Sequence, residues 1–340
     1  MTDACDTVTR REFIGSHRAA GLGLAAGIVP NFAVPDTDRN IRLGLIGLDT
    51  SHVIHFTRYI NDPAHQTGCT VVAAYPGGSP DIPSSVERIP EYTEQLRNEF
   101  GVEINDTIEE LCESVDGVLL ESVDGRPHLE QARPVIAAGK PLFIDKPMAA
   151  SLGDVLEIFR LSETSGVPCW SSSSLRFSPG IAGMRNNPEV GDVLGCDAFS
   201  PCSLEEHHPD LYWYGVHGVE TLFTIMGTGC DRVRRIQLPD EEHVTGIWKD
   251  GRIGTFRGRR VGKHTYGAFV YGSKANLPSG GFGGYEPLVD KIVQFVKTGD
   301  IPVRKEETIE IFAFMSAADA SKRRNGAEVT LAEMLDSTLR

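Results

Sequence analysis

The chain has 340 residues, 40% apolar and 24% charged, the proportions of an ordinary globular protein long enough for two domains. Its formal net charge of −14 excludes nucleic acid and anionic membrane surfaces as principal partners.

Residues 1–35 read as a segment apart. Thr9-Arg10-Arg11-Glu12-Phe13-Ile14 sets an arginine pair before two apolar residues, and a Gly/Ala-rich run follows over 19–29. That order is the order of an export signal, and the arginine pair points to the twin-arginine route. The run is too short and too rich in glycine to span a bilayer, and no later segment reaches transmembrane length. Cleavage is expected between residues 28 and 36, which places the mature protein in the periplasm or outside the cell. Similarity to that signal implies export of a folded protein, often with its cofactor inside. The seven cysteines form no Cys-x-x-Cys pair, which argues against a zinc ribbon or a thioredoxin motif. Cys196 and Cys202 can pair in an oxidising compartment, but buried free thiols are the expected reading.

Past the signal, short apolar runs alternate with helical patterns. Strands are expected at 41–47, 70–74, 117–121 and 141–144, and helices at 51–61, 91–100, 107–115 and 127–138. Strands that are apolar throughout, separated by helices, imply a parallel sheet covered on both faces. A helix follows at 151–164. Beyond Gly195 the runs at 232–238, 243–248, 253–257 and 268–271 read as strands joined by short turns, with helices at 213–226 and 285–296 expected to cover one face of their sheet. The predicted fold is α/β: a Rossmann-type doubly wound parallel sheet at 36–148, then an α+β domain with a largely antiparallel open sheet at 149–340.

The first strand ends in Gly47-Leu48-Asp49-Thr50-Ser51-His52 and opens onto a helix, as a dinucleotide site does. Only the first glycine of Gly-x-Gly-x-x-Gly is present; Asp49 and His52 replace the other two. A carboxylate ~4 Å from a phosphate is repelled by ~4 kcal/mol at an effective dielectric of ~20, on the order of a thousandfold in affinity. Asp49, Thr50 or Ser51 can also cap the helix and occupy the anion site. The second strand ends in Tyr75-Pro76-Gly77-Gly78-Ser79, without the acid that holds the ribose of NAD.

The strand at 141–144 ends in Asp145-Lys146-Pro147. Strand carboxyl ends in such sheets face the ligand crevice, where a lysine can hold a substrate hydroxyl or carboxylate, and Lys146-Pro147 can be cis. A plain surface ion pair is the alternative on spacing alone.

Here the sequence resembles the glucose–fructose oxidoreductase, inositol dehydrogenase and rhizopine catabolism (Gfo/Idh/MocA) family over nearly the whole mature chain. Pro127-His128, Ala138-Gly139-Lys140 and Asp145-Lys146-Pro147-Met148-Ala149 look like that family's stretch ending in Glu-Lys-Pro. Pro188-Glu189-Val190-Gly191-Asp192-Val193 and Gly215-Val216-His217-Gly218-Val219-Glu220 are similar to two further stretches. The resemblance implies NAD or NADP as cofactor, a sugar, inositol or related polyol as substrate, and self-association through the second sheet. It also implies that Lys146 binds the substrate hydroxyl and that His217 is the acid/base. Some exported relatives cleave glycosidic bonds through transient oxidation. The family's Asp four residues before the histidine is Trp213 here, which leaves Asp210 or Glu220 to orient His217.

Expected cofactor contacts are Gly47, Asp49, Thr50, Ser51, His52, Glu121, Asp145, Lys146 and Pro147. Expected substrate contacts are His128, Arg176, His207, His208, Trp213 and Tyr214. Tyr212-Trp213-Tyr214 can form an aromatic wall for a sugar ring or simply pack, and Arg176 can bind a substrate carboxylate or an acidic neighbour. Glu205-Glu206-His207-His208-Pro209-Asp210 resembles a metal cluster by composition. Adjacent histidines on one strand point to opposite faces, so no metal site is expected. Two functions remain: an exported NAD(P)-dependent oxidoreductase or redox-assisted glycosidase, and a cofactor-free relative that binds or processes a carbohydrate in the same cleft.

Overall fold

The computed structural model describes residues 39–338; the export signal expected at 1–35 lies outside them. Along the first half, β1 (Ile41–Ile46), α1 (His52–Asn61), β2 (Cys69–Tyr75), α2 (Pro83–Phe100), β3 (Glu103–Ile104) and α3 (Ile108–Ser114) are followed by β4 (Gly117–Leu120), α4 (His128–Ala137), β5 (Leu142–Asp145), α5 (Leu152–Ser165) and β6 (Cys169–Ser172). The six strands make a parallel sheet in the order β3-β2-β1-β4-β5-β6. The order reverses between β1 and β4, and a crevice opens there beyond the carboxyl ends. β4 and β5 are buried at every residue, which explains their unbroken apolar sequence.

Two boundaries differ from expectation. β6 pairs with β5 from Leu142–Cys169 to Asp145–Ser172, so the first sheet runs past residue 148. Its Cys-Trp-Ser-Ser sequence is buried but too polar to announce a core strand. α2 starts at Pro83 rather than 91 and continues through Pro90. Pro90 removes the amide that would bond the Val86 carbonyl, and Val86, 50% exposed, can give that carbonyl to water.

The second half holds α6 (Pro179–Ala182), β7 (Val193–Pro201), a π-helical turn (Leu211–Gly215), α7 (Val216–Met226), β8 (Cys230–Gln237), β9 (Glu241–Trp248), β10 (Ile253–Arg259), β11 (Gly267–Gly272) and β12 (Asn276–Pro278). It ends with α8 (Glu286–Thr298), α9 (Lys305–Arg323), β13 (Val329–Thr330) and α10 (Leu331–Thr338). Its sheet runs β12-β11-β7-β10-β9-β8-β13, antiparallel except where β7 meets β10. α7 and α9 cover this sheet, with Phe223, Phe256, Trp248 and Phe314 in one core. Gly218 lets α7 close on the sheet, since a Cβ there would lie 2.1 Å from Phe256.

α8 does not join them. Its Leu288, Val289, Ile292, Phe295 and Val296 pack with Ile41, Leu43, Phe143 and Trp170 of the first sheet. The amphipathic pattern of α8 shows that it buries one face; which sheet receives that face depends on a chain path that crosses back. Cys196 and Cys202 are separate buried thiols. No helix among the described residues is long and apolar enough to cross a membrane.

Candidate active site

The site is built where β1, β4 and β5 end. Gly47 leaves β1 with φ +87°, and a Cβ there would stand 2.4 Å from the Ser122 amide. The turn therefore lies against the end of β4 and admits only glycine. Asp49 follows and turns inward. Its Oδ2 accepts from Ser85 Oγ at 2.7 Å and its Oδ1 from the Val123 amide at 2.9 Å. Burial pushes this fully covered carboxyl above its ordinary value. Both carboxylate oxygens, expected to face a phosphate, are engaged by α2 and by the loop after β4, and Asp49 does not line the cavity. Asp49 does not cap α1 either, and Ser51 stands at the cap position without a side-chain capping bond.

A cavity of ≈ 250 Å³ opens beside this turn, and Thr50, Ser51, His52 and Lys146 line it. Arg88 of α2 also lines it and reaches the Asp49 carbonyl at 3.4 Å. The Lys146–Pro147 bond is cis. Beneath Lys146, His52 Nδ1 lies 2.7 Å from Asp145 Oδ2 and 3.9 Å from Glu121 Oε2. Burial and the Asp145 charge push Glu121 well above the usual carboxylate range. Burial works the same way on Asp145, but His52 and Lys146 outweigh it and hold that carboxyl low.

His217, in the first turn of α7, forms the facing wall. Its Nδ1 meets Ser173 Oγ at 2.7 Å. The Ser173 amide donates to Glu220 Oε2 at 2.8 Å, and Ser172 Oγ donates to Glu220 Oε1 at 2.7 Å. Glu220 thus acts on His217 through Ser173. Asp210, the other expected substitute, is taken by Arg235 at 2.9 Å and by Lys322. Burial, then the Lys146 charge, hold His217 well below the ordinary histidine value, so the ring is neutral near pH 7.

The π-helical turn carries Trp213 away from His217, because a wider turn breaks the four-residue stacking of an α-helix. Trp213 instead tilts against His208 at 5.4 Å. Tyr214 stays, with its ring 5.0 Å from His217 and its hydroxyl 2.9 Å from that of Tyr266. Tyr214, Tyr266, Phe282 and Tyr285 form the aromatic wall.

Several expected substrate contacts lie elsewhere. His128 is wholly buried, with its ring nitrogens 2.8 Å from the Ser122 carbonyl and 3.2 Å from that of Met148; it braces the corner from behind. Arg176 binds Glu220 at 2.7 Å and Glu307 at 2.8 Å, the acidic-neighbour reading. His207 is exposed beside Glu205, while His208 is buried near Asp124 at 3.8 Å. Gly47, Asp49, Glu121 and Asp145 shape or underlie the cleft without lining it, as does the buried Pro147. Sequence reasoning missed Arg88, Ser173, Tyr266, Phe282 and Tyr285. Only Ser173 left a trace, in the run Ser171-Ser172-Ser173-Ser174.

Residues 41–173 match the family model GFO_IDH_MocA, an oxidoreductase family with an NAD-binding Rossmann fold. Among solved structures, a probable dehydrogenase from Thermotoga maritima shares 19% identity, covering 86% of this chain and 100% of that chain, at TM-score 0.71. Scyllo-inositol dehydrogenase from Lactobacillus casei, with bound NAD(H) and scyllo-inositol, shares 15% identity over 86% of this chain and 100% of that chain, at TM-score 0.70. At these identities the likeness is one of fold. No curated protein matches the sequence. The family match thus covers the parallel-sheet domain, and over the rest of the chain the solved structures show a shared fold.

Proposed function

We propose that the chain is an exported NAD(P)-dependent oxidoreductase acting on a sugar, inositol or related polyol. The observation that carries this reading is the pairing of Lys146 with a neutral His217 on one cavity at the carboxyl edge of the parallel sheet. The residues present fit the phosphates of a dinucleotide. Asp49 is turned away, and Thr50, Ser51 and the guanidinium of Arg88 stand at the start of α1, where helix amides and the dipole favour an anion.

When bound, the nicotinamide supplies the hydride acceptor or donor. The chain's own residues hold and deprotonate the substrate. Lys146 donates to the oxygen of the reacting carbon. In the tautomer whose Nδ1–H donates a hydrogen bond to Ser173 Oγ, His217 presents the Nε2 lone pair and takes the hydroxyl proton. Tyr214, Tyr266 and Tyr285 offer faces for a ring. The cavity of ≈ 250 Å³ lies below the usual size of ligand pockets, about 300–1,000 Å³.

Export rests on Arg10-Arg11 and the run at 19–29. Self-association through the second sheet rests on the exposure of Ile236, Ile253, Phe269 and Tyr271. The deciding experiment is to denature the purified protein, look for released NAD(P) by absorbance and mass, and assay hexoses and cyclitols at the nicotinamide band. Release, or saturable binding with turnover of a polyol, is expected. A protein with neither bound nor bindable NAD(P) overturns the proposal and leaves the cofactor-free carbohydrate-binding relative.

A further inference from the structure

Below the cleft, three side chains from three elements converge: His52 at the start of α1, Glu121 just past β4 and Asp145 at the end of β5. One nitrogen or oxygen from each lies within 4.8 Å of the other two. Glu121 is 0% and Asp145 1% exposed. Yet neither oxygen of Glu121, nor Oδ1 of Asp145, has a hydrogen-bond partner among the described residues. Buried carboxylates are normally paired, hydrogen-bonded or metal-bound.

The simpler remedies fall short. A proton on Glu121 removes its charge but leaves Oδ1 of Asp145 and the rest of the pair without a donor among the described residues unless the two carboxyl groups close on each other. A trapped water fills lone pairs but supplies no positive charge to the pair. Lys146 forms no ion pair with either acid among the described residues, although it follows Asp145 directly; the only cationic partner within 4 Å is His52. A divalent cation meets both needs, neutralising the charge and filling the open oxygens.

We propose that His52, Glu121 and Asp145 form a divalent-metal site under the cleft. One imidazole and two carboxylates suit zinc, manganese or ferrous iron better than calcium or magnesium. Ligands about 2.0–2.2 Å from one ion stand about 3–4.2 Å apart. The His52 Nδ1 to Glu121 Oε2 separation of 3.9 Å is within that range. The 2.7 Å contact of Nδ1 with Asp145 Oδ2 is shorter, so Asp145 must back off slightly or turn in its free Oδ1. The imidazole plane is held by Phe56, stacked at 5.3 Å, and by the edge of Tyr285 at 4.7 Å, the kind of support that orients a ligand ring. Three protein ligands leave positions for water or substrate oxygen, and His52 itself lines the cleft. This site goes beyond the oxidoreductase reading and does not depend on it.

The test uses the full chain without a polyhistidine tag, stripped with chelator and titrated with Zn²⁺ and Co²⁺ near pH 7.5. The expected result is one equivalent bound, a visible Co²⁺ spectrum of a nitrogen–oxygen site, and a raised Tm. Glu121→Gln and His52→Gln should each weaken binding at least ~100-fold, since even outer-shell losses cost 10–100-fold. His207→Ala, at the exposed histidine cluster, should leave binding unchanged. Absence of saturable binding by the wild type below about 1 mM overturns the proposal even if a variant fails to fold. So does binding that survives His52→Gln but is lost in His207→Ala.

Discussion

Ser173 Oγ lies 2.7 Å from His217 Nδ1, the histidine for which the family resemblance implies a carboxylate at position 213. Glu220 fixes the Ser173 backbone, so the hydroxyl is aimed rather than free. Ser173 is then a positioning residue, and Ser173→Ala should lower kcat about 10–100-fold, the usual effect of removing a residue that orients another. KM should change little, and Ser173→Thr should recover most of the activity. A variant that loses only thermal stability, with kcat and its pH profile intact, would reduce Ser173 to packing.

The depressed histidines set the pH behaviour. His217 is neutral across the ordinary histidine range, so polyol oxidation should stay level as pH falls from 8 through 6.5 and decline only lower. Stability follows a related rule. Burial lowers His208 from 6.5 to about 4, so between those values the unfolded chain binds a proton that the folded chain does not. Stability is therefore complete above pH 6.5 and falls as pH drops towards 4, by about 3 kcal/mol in full at about 1.4 kcal/mol per pKa unit. His208→Gln should flatten this slope in urea denaturation measured at several pH values.

Asp49→Gly restores the second glycine of the dinucleotide motif, but no gain in NAD(P) affinity is expected. The carboxylate already faces Ser85 and Val123. Its removal leaves the Val123 amide without its partner, at about 1–3 kcal/mol. Paired calorimetric titration and urea unfolding check this, and a tenfold or greater gain in affinity would show that Asp49 does oppose the phosphate.

Arg176→Met should destabilise the fold by about 3–5 kcal/mol, because it strands the buried charges of Glu220 and Glu307. The loss should show in Tm before any assay. Activity should fall as well, since Glu220 also holds Ser173. If Arg176 served a substrate carboxylate instead, Arg176→Lys would raise KM for acidic sugars and leave Tm alone.

Much of this was legible without coordinates. Apolar strands separated by helices marked the parallel sheet, and the segment ending in Asp145-Lys146-Pro147 marked its crevice. Lys146 and His217, far apart in the chain, were paired by resemblance, and both line one cavity. Other residues misled because composition does not reveal direction. Asp49 looked like a barrier to phosphate, yet it is an internal brace. Trp213 could have been an aromatic wall or simple packing, and the structure sets it against His208 beside the π-helical turn.

Local patterning determined the elements themselves: period, caps and breakers act within a few residues, and a strand buried on both faces has little freedom in composition. Tertiary structure alone decided which surfaces those elements share. It sent α8 to the first sheet and joined Glu220 to His217 through Ser173. It also buried Glu121 beside Asp145 with no hydrogen-bond partner among the described residues. Each of these is a contact between residues distant in sequence, where direction and distance carry the energy and residue type by itself carries neither.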